Sequence, residues 1–499
     1  MGRLSLLLMV LLTVAACRRA GPAGSEVMLP TAVPPTGDSA AATRPALRPT
    51  PTLAPAAPTI PPPTVPPQLI SLGDPYIPEL GNGGYDVQQY TLQLALDPAV
   101  RRVNGRTQIA AVAGMDLSLL ALDFVGFQIT ELLVNDAPAA FSRQGDKLLI
   151  TPPQVLPAGA PFSIGVAYTG APAVRSSPYV GFIAALGLQY AADDILYVLG
   201  EPDGARFWFP ANDHPRDKAQ FRFELTVPAG LTGVANGELQ PAGTAVPLPL
   251  PGGGEGTVFV WEHAYPMATY LATVAVGPFI RLEGASPAGV PLRHYVLPGA
   301  AEEFAQVEAV TGEAIDWLSA RLGPYPFEVI GFVTVPIPGA SLETQTMILM
   351  STGMIGLRTA VHELAHMWFG NWVSLESWGS MWLKEGMATY MQLLWEHRDD
   401  PEALALEMAA LAAAVEENGD RFLLSNPPPE KLFGFHVYIQ GALLAHALRL
   451  EVGDDAFFAG LQLYFQRHGG DTAGDADFQA AMAEAAGRPL DAFFAAWLE

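Results

Sequence analysis

The chain has 499 residues, of which 50% are hydrophobic and 15% are charged, and this length is enough for roughly two to four domains. Its 24 Phe, 14 Tyr and 9 Trp exclude wholesale disorder, and the lack of a Gly-X-Y period or sustained heptads excludes collagen and coiled coils. The formal net charge of -24 argues against nucleic acid as a partner, because phosphate binding requires a cationic surface.

Residues 1–16 are predicted to be a signal peptide of the lipoprotein type. Arg3 precedes the apolar run Leu4–Ala16, which is too short to span a bilayer. The run ends in Val14–Cys17, which resembles the lipobox of bacterial lipoproteins, where the cysteine becomes the first mature residue and carries the lipid. Cys17, the only cysteine of the chain, is therefore the predicted lipidation site, and a plain cleaved signal with a chance cysteine is the alternative. We expect an exported lipoprotein, anchored to a bacterial cell membrane and facing outside the cytoplasm.

Residues 17–67 are predicted to form a proline-rich, disordered stalk. The part from 22 to 67 contains 14 of the 46 prolines, interleaved with Thr and Ala. Proline interrupts both helices and strand ladders, so this segment should stay extended and semi-rigid. It would hold the folded part of the protein away from a membrane surface.

The hydrophobic pattern of residues 80–285 predicts an N-terminal all-β domain. Apolar residues alternate with polar or small ones in Tyr90–Leu96 and again in Phe221–Val227, which is the period of a half-buried strand. Gly, Pro and Asp separate such runs at intervals of roughly 8 to 12 residues, a spacing typical of layered all-β structures.

Residues 286–499 are predicted to form a mainly helical domain with a small sheet. Four Ala- and Leu-rich segments have helical spacing: Pro401–Glu417, Val437–Glu451, Asp455–Arg467 and Pro489–Leu498. Two segments that precede them, Phe327–Pro336 and Met347–Met350, are the predicted strands. The fold class is therefore α+β multidomain, with the β domain first.

The strongest functional signal is the segment 361–366, whose sequence is Val-His-Glu-Leu-Ala-His. Side chains at i and i+4 lie on one face of a helix, so His362 and His366 can bind one zinc ion while Glu363 projects beside it. A catalytic zinc needs a third protein ligand and an open position. Glu385, 19 residues after His366 in an apolar setting, is the candidate. The alternatives are a pair of hydrogen-bonded core histidines and a surface glutamate.

These residues and two adjoining segments, Trp368–Asn371 and Gly386–Tyr390, resemble the aminopeptidase N-like family of zinc metallopeptidases, a gluzincin family that also includes leukotriene hydrolase. Several earlier stretches resemble that family's N-terminal domain: Glu201–Arg206, Phe209–Pro210, Asn212–Pro215 with Lys218, and Met267–Ala272. The resemblance covers nearly everything from Gly81 to the C-terminus. It implies a β saddle or sandwich followed by a thermolysin-like catalytic domain.

The resemblance also implies a specific role for each residue of the zinc site. His362, His366 and Glu385 would bind one Zn2+ per chain, and Glu363 would be the general base. A zinc ion lowers the pKa of a bound water towards neutrality, and a carboxylate within hydrogen-bond reach can take the proton. The predicted reaction is the hydrolysis of a peptide bond.

Three further site residues follow from the family's motifs. The Tyr-x-Lys-Gly pattern is matched with Gln440 in place of the lysine, so Tyr438 is the candidate donor to the oxyanion, and a core tyrosine is the alternative. The glutamate of the family's Gly-Ala-Met-Glu-Asn motif corresponds to Glu343, and Glu201 occupies the position of a second amine-binding residue. Both would bind the substrate's amino terminus, and a surface or interdomain ion pair is the alternative.

The predicted function is that of an exported, membrane-tethered zinc aminopeptidase that removes N-terminal residues from peptides. A zinc endopeptidase, an epoxide hydrolase of the same fold and a catalytically inert lipoprotein scaffold remain alternatives. Many relatives continue with a helical repeat domain, which we do not expect here, and we expect a more open cleft in its place. The expected partners are peptide substrates and a lipid membrane, with no nucleic acid and no obligate protein partner evident.

Overall fold

The computed structural model describes residues 65–173, 175–419 and 422–498. The predicted signal peptide, Cys17 and the predicted stalk up to residue 64 lie outside the described residues. Pro67, the last residue of the predicted stalk, begins a short 3-10 helix, Pro67–Leu69. None of the described helices is both long enough and apolar enough to cross a lipid bilayer.

The N-terminal part of the described chain is built from fifteen strands. Their bounds are β1 Tyr85–Asp97, β2 Arg102–Ala113, β3 Leu120–Asp123, β4 Gln128–Val134, β5 Ala137–Pro138, β6 Ala140–Gln144, β7 Lys147–Thr151, β8 Pro161–Gly170, β9 Gly187–Tyr190, β10 Leu196–Leu199, β11 Ala219–Pro228, β12 Thr232–Ala235, β13 Glu238–Gln240, β14 Gly256–Met267 and β15 Val274–Gly277. They form three sheets, in the orders β13-β14-β11-β1-β2-β8-β4-β5, β12-β15-β10-β9 and β3-β7-β6.

The eight-stranded sheet contains the two segments whose alternating pattern predicts strands. β1 and β11 are parallel neighbours at its centre, with Tyr90 opposite Phe221 and Leu92 opposite Phe223. All four of these side chains are buried, as the period of two requires for a strand with one face in the core. The N-terminal β domain is therefore confirmed.

The C-terminal part of the described chain contains eight α-helices and six short strands. The helices are α1 Ala301–Leu322, α2 Leu357–Ala365, α3 Trp382–Glu396, α4 Pro401–Asn418, α5 Phe435–Val452, α6 Asp454–His468, α7 Asp475–Ala486 and α8 Asp491–Leu498. The strands are β16 Ile280–Ala285, β17 Pro291–Val296, β18 Phe332–Val335, β19 Ile348–Ser351, β20 Ser374–Leu375 and β21 Thr472–Ala473. Helices α4, α5, α6 and α8 match the four predicted helices to within two residues at each end.

The small sheet of this part has the order β16-β17-β18-β19. β16 pairs antiparallel with β17, so the sheet begins at Ile280, inside the segment assigned from sequence to the β domain. The strand predicted over Phe327–Pro336 is shorter in the structure, because β18 lies between Gly331 and Pro336. Strand β19 is the edge strand of this sheet, and Leu342 forms an isolated bridge with its residue Leu349. Glu343, the next residue along the chain, therefore lies at the sheet edge.

Helices α3 and α5 cross at two glycines. A Cβ at Gly386 would lie 2.6 Å from the Cα of Gly441, and a Cβ at Gly441 would lie 2.8 Å from the Cα of Gly386. Any larger residue at either position would push the helices apart. Because residues i and i+3 share a helix face, the close approach also holds Tyr438 against the turn of α3 that carries Glu385.

Candidate active site

Helix α2 carries the histidine motif into the interior. Val361, Leu364 and Ala365 are buried, so the helix is fixed from behind by apolar packing. His362 lies in the last turn of α2, and His366 is its C-terminal cap with helical backbone angles. The predicted i, i+4 placement of the two imidazoles on one face is therefore present.

The two imidazoles and Glu385 converge on one point. His362 Nε2 lies 3.1 Å from His366 Nε2 and 3.3 Å from Glu385 Oε2, and His366 Nε2 lies 3.5 Å from the same carboxylate oxygen. His366 Nδ1 lies 3.1 Å from the carbonyl oxygen of Phe369. A proton on Nδ1 would donate to that carbonyl and leave the lone pair of Nε2 free to face the cluster.

The spacing of these atoms fits a tetrahedral zinc ion. Zinc–nitrogen and zinc–oxygen bonds of about 2.0–2.1 Å place tetrahedral ligands roughly 3.3–3.4 Å apart, and the three measured separations are 3.1, 3.3 and 3.5 Å. Two nitrogens and one carboxylate oxygen are also a donor set that suits zinc. His362, His366 and Glu385 could therefore hold the metal with one position left for solvent.

Glu363 lies beside this cluster without being part of it. Its side chain is buried, and one of its carboxylate oxygens is within 4.8 Å of ligand atoms of His366 and Glu343. Burial, and then the charges of Glu343 and Glu385, raise the pKa of Glu363 well above its ordinary value. A divalent cation at the neighbouring site would oppose that rise and favour the ionised form, which can accept a proton.

Glu201, Glu343 and Glu385 form a second group of side chains, the carboxylate triangle, which shares Glu385 with the first group. Glu201 follows β10, Glu343 lies at the edge of the small sheet and Glu385 is in the first turn of α3. All three side chains are buried, and one oxygen of each lies within 4.8 Å of the other two. The structure thus brings together the predicted residues from both parts of the chain.

A lysine that the motifs did not single out stands at the centre of this triangle. Lys384 is fully buried, and its Nζ donates to Glu385 Oε1 at 2.5 Å. The same ammonium lies 2.9 Å from Glu201 Oε1 and 2.5 Å from Glu343 Oε1, in contacts that are ion pairs rather than directed hydrogen bonds. Burial alone would lower the pKa of Lys384, but the three carboxylates outweigh it and raise that pKa well above its ordinary value.

A signal for this residue is present in the sequence. Lys384 stands between Leu383 and Glu385 in a helix whose residues Trp382–Trp395 are all buried. A lysine inside an apolar helical segment needs a buried partner, and the same apolar setting argues against a surface position for Glu385. Two of its partners, Glu201 and Glu343, come from distant segments of the chain, so the local sequence does not identify them.

Tyr438, on helix α5, lies beside the proposed metal ligand His362. Its ring is 6.1 Å from the ring of His362, with an interplanar angle of 17°. Burial, and then the charge of Glu385, raise the pKa of Tyr438 well above its ordinary value. The phenol therefore keeps its proton and can act as a hydrogen-bond donor in the cleft.

The loop that follows the histidine motif supports Glu343. The side-chain nitrogen of Asn371 donates to the main-chain oxygen of Glu343 at 2.8 Å, and Ser374 Oγ donates to the carbonyl of Gly370 at 2.8 Å. From the β part, Lys218 Nζ donates to the carbonyl oxygens of Asn371 and Trp372 at 2.9 and 3.1 Å. The loop thus links the histidine motif, the sheet edge and the β part.

A second group of possible metal ligands, Glu396, His397 and Glu407, lies where α3 and α4 meet. Arg358 already forms two hydrogen bonds with the carboxylate of Glu396, at 2.6 and 2.7 Å, and contacts Glu407 at 3.4 Å. The guanidinium supplies the positive charge that a cation would otherwise provide. This group is therefore a surface ion-pair network rather than a metal centre.

Comparison with known proteins gives matches along most of the chain. The family model described as the peptidase family M1 domain matches residues 354–497, and the model of the peptidase M1 N-terminal domain matches residues 86–271. Aminopeptidase N of Streptomyces lividans is 28% identical over 348 residues, which are 61% of this chain and 38% of that protein. Aminopeptidase M1 of Arabidopsis thaliana is 25% identical over 468 residues, which are 85% of this chain and 51% of that protein. The chain thus spans 38% to 51% of the length of these two curated relatives.

The similarity to solved structures is more extensive. A mutant of the M1 zinc metallopeptidase from Deinococcus radiodurans, bound to a Tyr-Ser-Ala substrate, superposes with a TM-score of 0.79 and 30% identity. That match covers 86% of this chain and 97% of the other. The two-part fold and the family predicted from the zinc motif are thereby confirmed, and this chain belongs to peptidase family M1.

Proposed function

We propose that this chain is a zinc-dependent aminopeptidase that hydrolyses N-terminal residues from peptides. The observation that carries the proposal is the convergence of His362, His366 and Glu385 at zinc-ligand spacing beside the buried carboxylate of Glu363. The names of its relatives support it, since they are aminopeptidases and a zinc metallopeptidase bound to a peptide. A binding scaffold would have no chemical need for a base beside a complete set of metal ligands.

Each residue of the proposed active site would have its own role in hydrolysis. A zinc ion held by His362, His366 and Glu385 would supply Lewis-acid polarisation and a water of lowered pKa. Glu363 would accept a proton from the attacking water and return it to the leaving amine. The protonated phenol of Tyr438 can donate to the oxygen that becomes negative in the transition state.

The preference for the end of a peptide is proposed to come from the carboxylate triangle. Buried carboxylates recognise an ammonium group through charge-assisted hydrogen bonds. One oxygen each of Glu201 and Glu343 lies within 4.8 Å of an oxygen of Glu385, the proposed third metal ligand. A peptide whose amino terminus lies there would present its first peptide bond to Glu363. Cleavage would then release one residue at a time.

Analysis of the products tests this function directly. The zinc-loaded protein is incubated with an unblocked peptide of about ten residues, and the products are followed by mass spectrometry. We expect a ladder of peptides shortened from the N-terminus one residue at a time, which disappears on chelation and returns on addition of zinc. Internal fragments without a ladder would instead favour an endopeptidase, and cleavage that is unaffected by chelation would contradict a zinc enzyme.

We also propose that the protein is exported and held at a bacterial membrane by a lipid on Cys17. The support is the apolar run Leu4–Ala16 followed by the lipobox-like Val14–Cys17. In a bacterial host, a labelled fatty acid should be incorporated into the protein, and Cys17→Ser should abolish the label and release the protein from membranes. Equal labelling of the variant would contradict lipidation at this residue.

A further inference from the structure

We propose that Lys384 is a specificity-determining residue, whose ammonium group occupies the carboxylate triangle at the place where a peptide's amino terminus would bind. Because Lys384 occupies this position, the protein has a weakened preference for peptides with a free amino terminus over peptides with a blocked one. The inference rests on the proposed aminopeptidase function, because it assigns the triangle to the substrate's amino terminus.

The first argument is that two ammonium groups compete for one position. Lys384 Nζ lies 2.5–2.9 Å from one oxygen each of Glu201, Glu343 and Glu385, so its positive charge is in direct contact with all three carboxylates. The α-ammonium of a peptide carries the same charge and would need the same oxygens. Either Lys384 moves away from the triangle when such a substrate binds, or the two groups share its oxygens.

The second argument is electrostatic. The side chains of Lys384, Glu201 and Glu343 are at most 5% exposed, so little water screens one charge from another. A second ammonium placed beside Lys384 is repelled by it, and displacing Lys384 separates a buried cation from its partners. An acetylated amino terminus carries no charge and incurs neither cost. Lys384 therefore disfavours a free amino terminus more than a blocked one.

A purely positioning role for Lys384 predicts a different outcome. Its Nζ donates to Glu385 Oε1, while Glu385 Oε2 faces His362 and His366. If the lysine only oriented this ligand, its removal would weaken zinc binding, typically by about 10- to 100-fold. Free and blocked substrates would then be affected equally, and the ratio of their rates would not change.

The test compares kcat/KM for a leucyl peptide with a free amino terminus and for the same peptide acetylated, in the zinc-saturated full chain. Lys384→Met keeps the length of the side chain and removes its charge, and we expect it to raise the free-to-acetylated ratio at least tenfold. The matched control is Lys147→Met, since Lys147 is also buried and pairs with Asp123 at 2.6 Å in the β part. The control should leave the ratio unchanged. A change below tenfold in Lys384→Met would overturn the proposal.

A binding measurement removes the dependence on turnover. Leucinol has a free ammonium and no scissile bond, and N-acetylleucinol is its blocked counterpart. Calorimetry on the zinc-loaded chain should show that Lys384→Met increases the affinity for leucinol at least tenfold and leaves that for N-acetylleucinol unchanged. If the variant fails to fold, the wild type decides: a Kd ratio below tenfold supports the proposal, and a larger preference for leucinol overturns it. Absence of any peptide cleavage would refute the proposed function and leave this measurement valid.

Discussion

Replacement of Glu363 by glutamine is expected to abolish peptide hydrolysis and to leave the zinc in place. Glutamine has the shape of the glutamate, but it cannot accept a proton from water. The proposed metal ligands are His362, His366 and Glu385, and Glu363 is not one of that group of three. General-base catalysis contributes about 100- to 10,000-fold to the rate, so we expect kcat to fall by at least about 100-fold. Steady-state kinetics and metal analysis on the same preparation measure both properties.

A second glutamate serves as the matched control. Glu224 is partly buried and ion-paired with Arg222 at 2.9 Å in the β part. Glu224→Gln should retain both kcat and one zinc ion per chain, because Glu224 belongs to strand β11 and is not one of the proposed site residues. Turnover of Glu363→Gln at the wild-type rate would remove Glu363 as the base. Loss of zinc from that variant would make it a metal ligand instead.

Much of the fold follows from local patterns in the sequence. The alternation in β1 and β11 predicts two strands, but their parallel pairing depends on the topology of the whole chain, since 130 residues lie between Tyr90 and its neighbour Phe221. The four Ala- and Leu-rich helices are predicted by the same kind of local signal. Helix α1 has a comparable signal in the spacing of its buried Phe304, Val307 and Leu318, and it is not among the four predicted helices.

Some residues of the site can also be predicted from the local sequence, whereas others come together only through the fold. His362, Glu363 and His366 are adjacent in sequence, so the helical period alone places them together. Glu201 and Glu343 lie more than 140 residues apart and meet only because a β turn and a sheet edge converge on α3. Their positions followed from a family resemblance rather than from physical reasoning. Lys384 remained unassigned, because its function depends on that convergence.

The proposed zinc ligands and the carboxylate triangle are coupled through the total charge of the site. Glu201, Glu343, Glu363 and Glu385 are four buried carboxylates, and the ammonium of Lys384 is in contact with three of them. If all four are ionised, the formal charge of the five groups is -3. Buried charge of this size is costly unless it is paired. A divalent cation would bring the formal charge to -1, so the metal should matter for stability as well as for the reaction.

Replacement of His366 by alanine is accordingly expected to eliminate the bound zinc and the stability that it provides. His366 is one of the three proposed ligands, its side chain is buried, and its Nδ1 lies 3.1 Å from the carbonyl oxygen of Phe369. A ligand that binds only the folded state raises the free energy of unfolding by about 4 kcal/mol when its free concentration is 1,000 times its Kd. Zinc should therefore raise the unfolding midpoint of the wild type by several degrees and should leave that of the variant unchanged.

The alanine also leaves a cavity, so the comparison needs a buried histidine outside the cluster. His294 is buried and packs against the rings of Phe304 and Phe332, with ring centroids 5.2 and 5.8 Å away. His294→Ala should lower the midpoint through lost packing, yet zinc should still raise it as in the wild type. If His366→Ala keeps one zinc ion and the same zinc-dependent rise, the ion is held elsewhere. In that case the charge of the four carboxylates must be balanced by protonation and Lys384, without a metal at this cluster.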